Sequence, residues 1–174
     1  GLGILSHVTL MGKNSVKDMK KQIEYVIEHT DKPFGVNVCT ARVQMDHKIM
    51  LRKIKAWRKK NPKIREQLIY GLTSAGGPHY ARKVWGNDNP GFHHYHVAPA
   101  LWLVDKVVEK GCDGIVATGT EGGGHQSYEK VSTLVLLQEV KQKYPEMPLV
   151  ACGGFATPEG IASAIALGAD AVAM

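Results

Sequence analysis

The chain has 174 residues, a formal net charge of +6, 44% hydrophobic and 22% charged residues. That composition suits one globular core; it excludes a disordered chain. No run of about 18 apolar residues marks a membrane span, and no charged-then-apolar leader opens the chain. The wide, odd set Cys39, Cys112 and Cys152 is neither a zinc pattern nor a disulfide framework. A reducing cytoplasm is the natural setting, with Cys152 expected to be a small buried hydrophobe.

The pattern along the chain is apolar run, turn, amphipathic run, repeated. Gly3-Ile4-Leu5 is an apolar stub. Asn14 or Ser15 is placed to cap a helix carrying Val16, Met19, Ile23 and Val26 at helical spacing. Asp31-Lys32-Pro33 ends it, and Phe34 to Val38 reads as a strand. Asp46 is the expected cap of a second helix with a stripe of Met50, Ile54 and Trp57, stopped by Asn61-Pro62. Leu68 to Thr73 is a strand, followed by the turn Ser74-Ala75-Gly76-Gly77-Pro78 and a short helix from His79 to Trp85. His94 to Val97 is a further, weaker strand.

Leu101 to Lys110 reads as a helix ended by Gly111. Gly114 to Thr118 is a buried strand leading into Gly119-Thr120-Glu121-Gly122-Gly123-Gly124-His125. Ser132 to Lys143 is helical, and Pro148 to Cys152 is a strand followed by Gly153-Gly154. Thr157 as cap, Pro158 as first residue and Gly168 as exit mark the last helix, and a final strand starts at Ala171. Near-continuous apolar strands joined by helices mean a parallel sheet under helices. An open doubly wound sheet and a (β/α)8 barrel both fit. A typical barrel needs about 250 residues, so a barrel here is one missing one strand, plus whatever follows the last.

Ligands of parallel α/β folds bind outside the C-terminal ends of the strands. The segments there are Asn37-Val38-Cys39, Ser74 to Pro78, Thr118 to His125 and Gly153-Gly154, and glycine recurs in three of the four. Gly153-Gly154 before a capped helix fits a phosphate cradle, and a tight turn equally well. His125 is placed to move a proton near neutral pH, or simply to bond a carbonyl. His94 and His96 share a strand face without a third ligand at a telling spacing, so a polar or partly exposed strand is expected rather than a metal site. Lys48, Arg52, Lys53, Lys55, Arg58, Lys59, Lys60, Lys63 and Arg65 form a basic run. A solvated helix face is the expected reading, ahead of an RNA or acidic-partner surface.

Two stretches carry a family resemblance. Gly111 to Val116 through Glu121-Gly122-Gly123-Gly124-His125, and Pro148 to Met174 (with "ACGGFATPEGIASAIALGADAVAM" from Ala151 on), resemble signatures of the FMN-dependent nitronate monooxygenases, formerly 2-nitropropane dioxygenases, relatives of enoyl-acyl-carrier-protein reductase II. Gly1 to Leu5, Phe34 to Asn37 and the Ser74 to Pro78 turn are similar to family strands and turns. The resemblance implies an incomplete (β/α)8 TIM barrel lacking its first strand and the region after its last, one partial FMN-binding domain over residues 1–174. It implies His125 as catalytic histidine and Asn37, Thr118, Gly123, Gly124, Cys152, Gly153 and Gly154 around FMN, with no metal. Val97 stands where nitronate-oxidising members have lysine. The implied activity is oxidation of a small alkyl nitronate by O2. The alternatives are an enoyl-thioester reductase using NAD(P)H, and a non-catalytic fragment whose basic helix binds a partner or RNA.

Overall fold

The computed structural model describes residues 1–7, 14–86, 89–124 and 129–174. Its elements are β1 (Gly3–Ser6), α1 (Ser15–His29), β2 (Phe34–Cys39), α2 (His47–Lys60), α3 (Pro62–Gln67), β3 (Leu68–Ser74), α4 (His79–Trp85), β4 (His93–Ala98), α5 (Leu101–Glu109), β5 (Gly114–Thr118), α6 (Thr133–Lys143), β6 (Leu149–Cys152), α7 (Pro158–Ala166) and β7 (Ala171–Ala173). The strands follow chain order across the sheet. The pairings β1–β2, β2–β3, β4–β5, β5–β6 and β6–β7 are all parallel. The chain forms two compact units, Gly1–His94 and Tyr95–Met174.

In the first unit, Met19, Ile23 and Ile27 recur every fourth residue of α1, so one side of the helix faces the core. They join Phe34, Val36 and Val38 of β2 and Met50, Leu51 and Ile54 of α2 in one buried cluster. Phe34, Val36 and Val38 alternate along β2, which turns Asn37 and Cys39 to the opposite face, where both are half-buried. Gly71 of β3 is a close approach. A Cβ there would lie 2.5 Å from Phe92 and 2.6 Å from Trp85, so the aromatic pair sits directly on the strand backbone.

Asn61-Pro62 ends α2, as the sequence predicts, but it also starts α3. The Asn61 side chain accepts from the backbone N–H groups of Lys63 and Ile64, and Pro62 takes the first turn. The expected stripe of Met50, Ile54 and Trp57 packs on the buried cluster of this unit, Trp57 half-buried at its edge, and it is wider than expected: Leu51 and Arg58 are buried with it. Arg58 is therefore not part of a solvated face. It is 1% exposed. Its Nε donates to Asn89 Oδ1 (3.1 Å), Nη1 to the carbonyls of Arg65 (2.7 Å) and Leu68, and Nη2 to the Pro90 carbonyl (3.0 Å). The guanidinium lies 4.6 Å from the Phe92 ring centroid. Burial, and then the neighbouring charge of Arg65, push it down to about 10.

His94 is buried, its Nε2 2.8 Å from Thr73 Oγ1 and its ring edge-on to Trp85. His96 is buried as well. The expected polar or partly exposed strand holds for His93, which is exposed, but His94 and His96 alternate onto the buried face of β4.

In the second unit, Leu103, Val104 and Val107 of α5, Ile115 and Ala117 of β5, Leu136, Leu137 and Val140 of α6 and Leu149 and Ala151 of β6 make one cluster. Thr157 caps α7, its hydroxyl accepting from the Gly160 N–H at 3.1 Å, and Gly168 leaves it at φ +93°. No helix among the described residues is long and apolar enough to cross a membrane.

Replacing Arg58 by Met keeps much of the stem but strands the Leu68 and Arg65 carbonyls in a closed space. The loss expected is about 3 kcal/mol, seen as a lower urea midpoint. Lys59→Met, one position on and exposed, should stay within about 0.5 kcal/mol of the parent.

Candidate active site

In the second unit the strand ends are organised by one hydroxyl. Thr133, at the start of α6, is 1% exposed. Its Oγ1 accepts from the Gly119 backbone N–H (3.0 Å) and donates between Glu121 Oε2 (3.0 Å) and the Cys152 carbonyl (3.4 Å). The Glu121 carboxylate also accepts from the Thr133 N–H at 2.8 Å. That backbone bond is the main reason the Glu121 carboxyl is held below its usual range. The turn after β5 is closed by the Gly122 N–H bonding the Gly119 carbonyl at 3.1 Å.

The loop after β6 rests on this turn. A Cβ at Gly153 would lie 2.7 Å from Gly122 N and Cα, and Gly153 and Gly154 sit at φ +96° and +84°. Only glycine meets both demands. Among the described residues, a Cβ at Gly123 or Gly124 would meet nothing within 4 Å. Thr118 ends β5 beneath Gly122, and its Oγ1 is buried without a hydrogen-bond partner among the described residues. Cys152 is half-buried: it alternates with the core residues Leu149 and Ala151 and so points to the other face of β6. It is not the buried hydrophobe the sequence predicts. His125 lies outside the described residues.

In the first unit, Asn37 Oδ1 accepts from Ser74 Oγ at 3.2 Å, which leaves its amide N–H2 as the end available to a ligand. The Ser74 carbonyl accepts from the Thr40 N–H (2.7 Å) and Thr40 Oγ1 (3.1 Å), joining the β2 and β3 ends. Gly76 packs on Thr40 so closely that a Cβ would lie 2.6 Å from its carbonyl oxygen.

A buried polar cluster at the end of β1 went unseen in the sequence. His7 Nε2 lies 3.4 Å from Asp46 Oδ2 and 3.3 Å from Gln44 Nε2, and Gln44 donates to Asp46 Oδ1 at 2.8 Å. Ser15 Oγ donates to Asp46. Serine thus bonds the carboxylate, not the imidazole, so this is no nucleophile–base pair. Asp46 starts α2 without capping it; its carboxylate ties the α1 start to β1 instead. Ser15 and Asp46 each carry a cap signal in the sequence, and the cap signal hid the pairing. Burial alone would raise the Asp46 carboxyl, but the bonds from Ser15, Gln44 and His7 prevail and hold it low. Among the described residues no cluster of three or more His, Cys, Asp or Glu is placed to hold a metal.

Parallel strands in chain order, helical crossovers and glycine loops at the strand ends make an incomplete (β/α)8 barrel. The family model for nitronate monooxygenase matches residues 1–174, and the chain belongs to that family. It is 31% identical, over its full length, to a 5-hydroxy-7a-methyl-1-oxo-octahydro-1H-indene-4-carboxyl-CoA dehydrogenase of Rhodococcus jostii (strain RHA1), and spans 44% of that protein. FabK from Thermotoga maritima is similar in structure over 99% of this chain and 49% of its own, with TM-score 0.76 and 32% identity. Nitroalkane oxidase from Streptomyces ansochromogenes shares the fold at TM-score 0.72, 24% identical, over 99% of this chain and 56% of its own.

Thr133→Val removes the hydroxyl at nearly constant shape. The turn at Gly119 to Gly122 should lose amide-exchange protection, and stability should fall by about 2 kcal/mol. Asp46 has a depressed pKa in the fold, so its contribution is present above the ordinary aspartate value of 3.8 and fades as pH falls below it. A urea midpoint followed from neutral to acid pH should drop less steeply in Asp46→Asn than in the parent. Parallel curves would remove Asp46 from the acid response.

Proposed function

We propose that the parent protein is an FMN-dependent oxidoreductase, and that the strand-end loops of this chain contribute to its flavin site. The observation that carries this is the pair of glycine loops in the second unit. Gly123 and Gly124 offer bare backbone that no described residue crowds on its Cβ side, as a flat ring needs. Gly153 and Gly154, at positive φ before the capped α7, suit a phosphate group. The Gly160 N–H of that helix end is already taken by Thr157, so the donors for a phosphate would come from the loop itself. Thr118 Oγ1 and the Asn37 amide supply polar atoms that a flavin edge could use, and Cys152 lines the same face as Thr118 at the strand ends.

FMN, when bound, would supply the hydride chemistry. The chain supplies position and proton handling. Thr133 and Glu121 fix the loop that carries Gly123 and Gly124, and His125 directly follows those residues in sequence. In this reading a His125 ring nitrogen takes or returns the proton at the substrate carbon beside the activating group.

For the substrate we favour an acyl thioester. Val97 stands where the family's nitronate-oxidising members have lysine. Val97 alternates with the core-facing Ala98 along β4, on the half-buried face, so no cation is presented there to a nitronate. The likeness to a carboxyl-CoA dehydrogenase supports the same choice. The second reading is oxidation of a small alkyl nitronate by O2, favoured by the family as a whole.

Fluorescence titration with FMN should be saturable for the chain. Gly153→Ala, which drives a methyl into Gly122, should weaken it by about tenfold or more. His125→Ala should leave binding nearly intact. Saturable binding that Gly153→Ala leaves unchanged would sink the proposed phosphate cradle. In the parent protein, NAD(P)H oxidation with a crotonyl thioester against O2 uptake with a nitronate separates the two substrates, and His125→Ala should abolish either.

A further inference from the structure

The basic run absorbed by neither reading above surrounds a cavity of about 450 Å3 in the first unit, lined by Lys55, Arg58, Lys59, Arg65, Asn89 and Pro90. It lies where α2 ends and β3 and β4 begin, whereas Asn37 and Ser74 stand at the opposite, C-terminal ends of their strands. We propose that this cavity binds a small phosphorylated metabolite through its phosphate groups, at a site separate from the strand-end loops.

Three observations converge on an anion. First, Arg58 is buried, yet each hydrogen-bond partner given above is a neutral carbonyl or amide oxygen. Among the described residues no carboxylate pairs with Arg58, Lys59 or Arg65. A closed-in cation without a counter-charge is costly, and a bound anion relieves that cost. Second, donors remain. A guanidinium has five N–H groups, of which four are engaged. Asn89 gives its Oδ1 to Arg58 while its Nδ2 is buried without an acceptor among the described residues. Third, Lys55 and Lys59 stand one turn apart on α2 and Arg65 closes the rim, so the lining carries several positive charges and, among the described residues, no acidic one. Asp88, next to Asn89 in sequence, lies outside the described residues.

Phosphate fits this lining better than a single carboxylate. It brings up to two charges and several acceptor oxygens to meet guanidinium forks and ammonium groups. A concave site of this size suits a small molecule. A single-stranded nucleic acid needs an extended groove with exposed aromatic platforms, and the lining has no aromatic residue.

The test is calorimetric titration of the full chain with inorganic pyrophosphate, with and without FMN. Saturable binding that weakens with salt, is unaffected by FMN, and falls by about tenfold or more in the double variant Lys59→Gln/Arg65→Gln supports the site. Both residues are exposed, so the variant should keep the parent's melting curve. No binding, binding unchanged in the double variant, or pyrophosphate displaced by FMN would each overturn the proposal. Tighter binding of a single-stranded RNA oligomer lost in the same variant would also overturn it, in favour of a nucleic-acid surface. Absence of FMN binding would count against the flavin reading alone and leave this site standing.

Discussion

The strand ends of the second unit depend on the Thr133 hydroxyl. A side chain with one donor and two acceptor positions is shared among the Gly119 N–H, the Glu121 carboxylate and the Cys152 carbonyl. Through it, the end of β5, the end of β6 and the start of α6 become one body. A glycine loop alone has the highest conformational entropy of any sequence and would not hold a shape. Bound to Glu121 on one side and packed on Gly153 on the other, the Gly119 to Gly122 turn has little freedom left. The loop is rigid where it meets the barrel and continues in bare glycine at Gly123 and Gly124, which is what a preformed ligand cradle requires.

The first unit solves the same problem at its other end with a cation. Arg58 reaches from α2 to carbonyls before and at the start of β3 and to the loop preceding β4. Carbonyls left by the helix C-terminus and the strand approach need donors, and one guanidinium serves three of them, with its Nε on the Asn89 side chain. Its burial has an electrostatic cost that the Phe92 face offsets in part. The residue is therefore a staple with surplus charge, and that surplus is why the adjoining cavity favours an anion.

The elements whose signals are local were legible in the sequence. The short helix His79–Trp85 and the Thr157, Pro158, Gly168 helix stand as their caps and breakers predict. The strand-end loops were legible because glycine clusters have few other causes. What escaped was set by tertiary contact. α3 was hidden because Asn61-Pro62 reads as a stop, and the same two residues serve as cap and first turn of a new helix. Arg58 falls at the i+4 position after Ile54, on the core side of α2, but among so many cations its place in the stripe is invisible. His94 reads as polar and is buried, since Thr73 and Trp85 supply contacts from elsewhere in the chain. The Ser15–Asp46–His7 cluster joins residues far apart in sequence, and each already had a simpler local explanation.

Two buried polar atoms without partners among the described residues, His7 Nδ1 and Thr118 Oγ1, carry different meanings. His7 is wrapped in Gln44 and Asp46, whose bonds to one another and to Ser15 already close the cluster, so its spare nitrogen sits beside a finished structural joint. Thr118 ends a strand directly under a glycine turn, at the place where parallel barrels receive ligands. A hydroxyl is inexpensive to leave unpaired only when something arrives to pair with it, and a valine would fill the same volume at no polar cost. The contrast separates the two places: the end of β1 is a closed polar joint, and the end of β5 keeps a buried hydroxyl that the proposed flavin site would put to use.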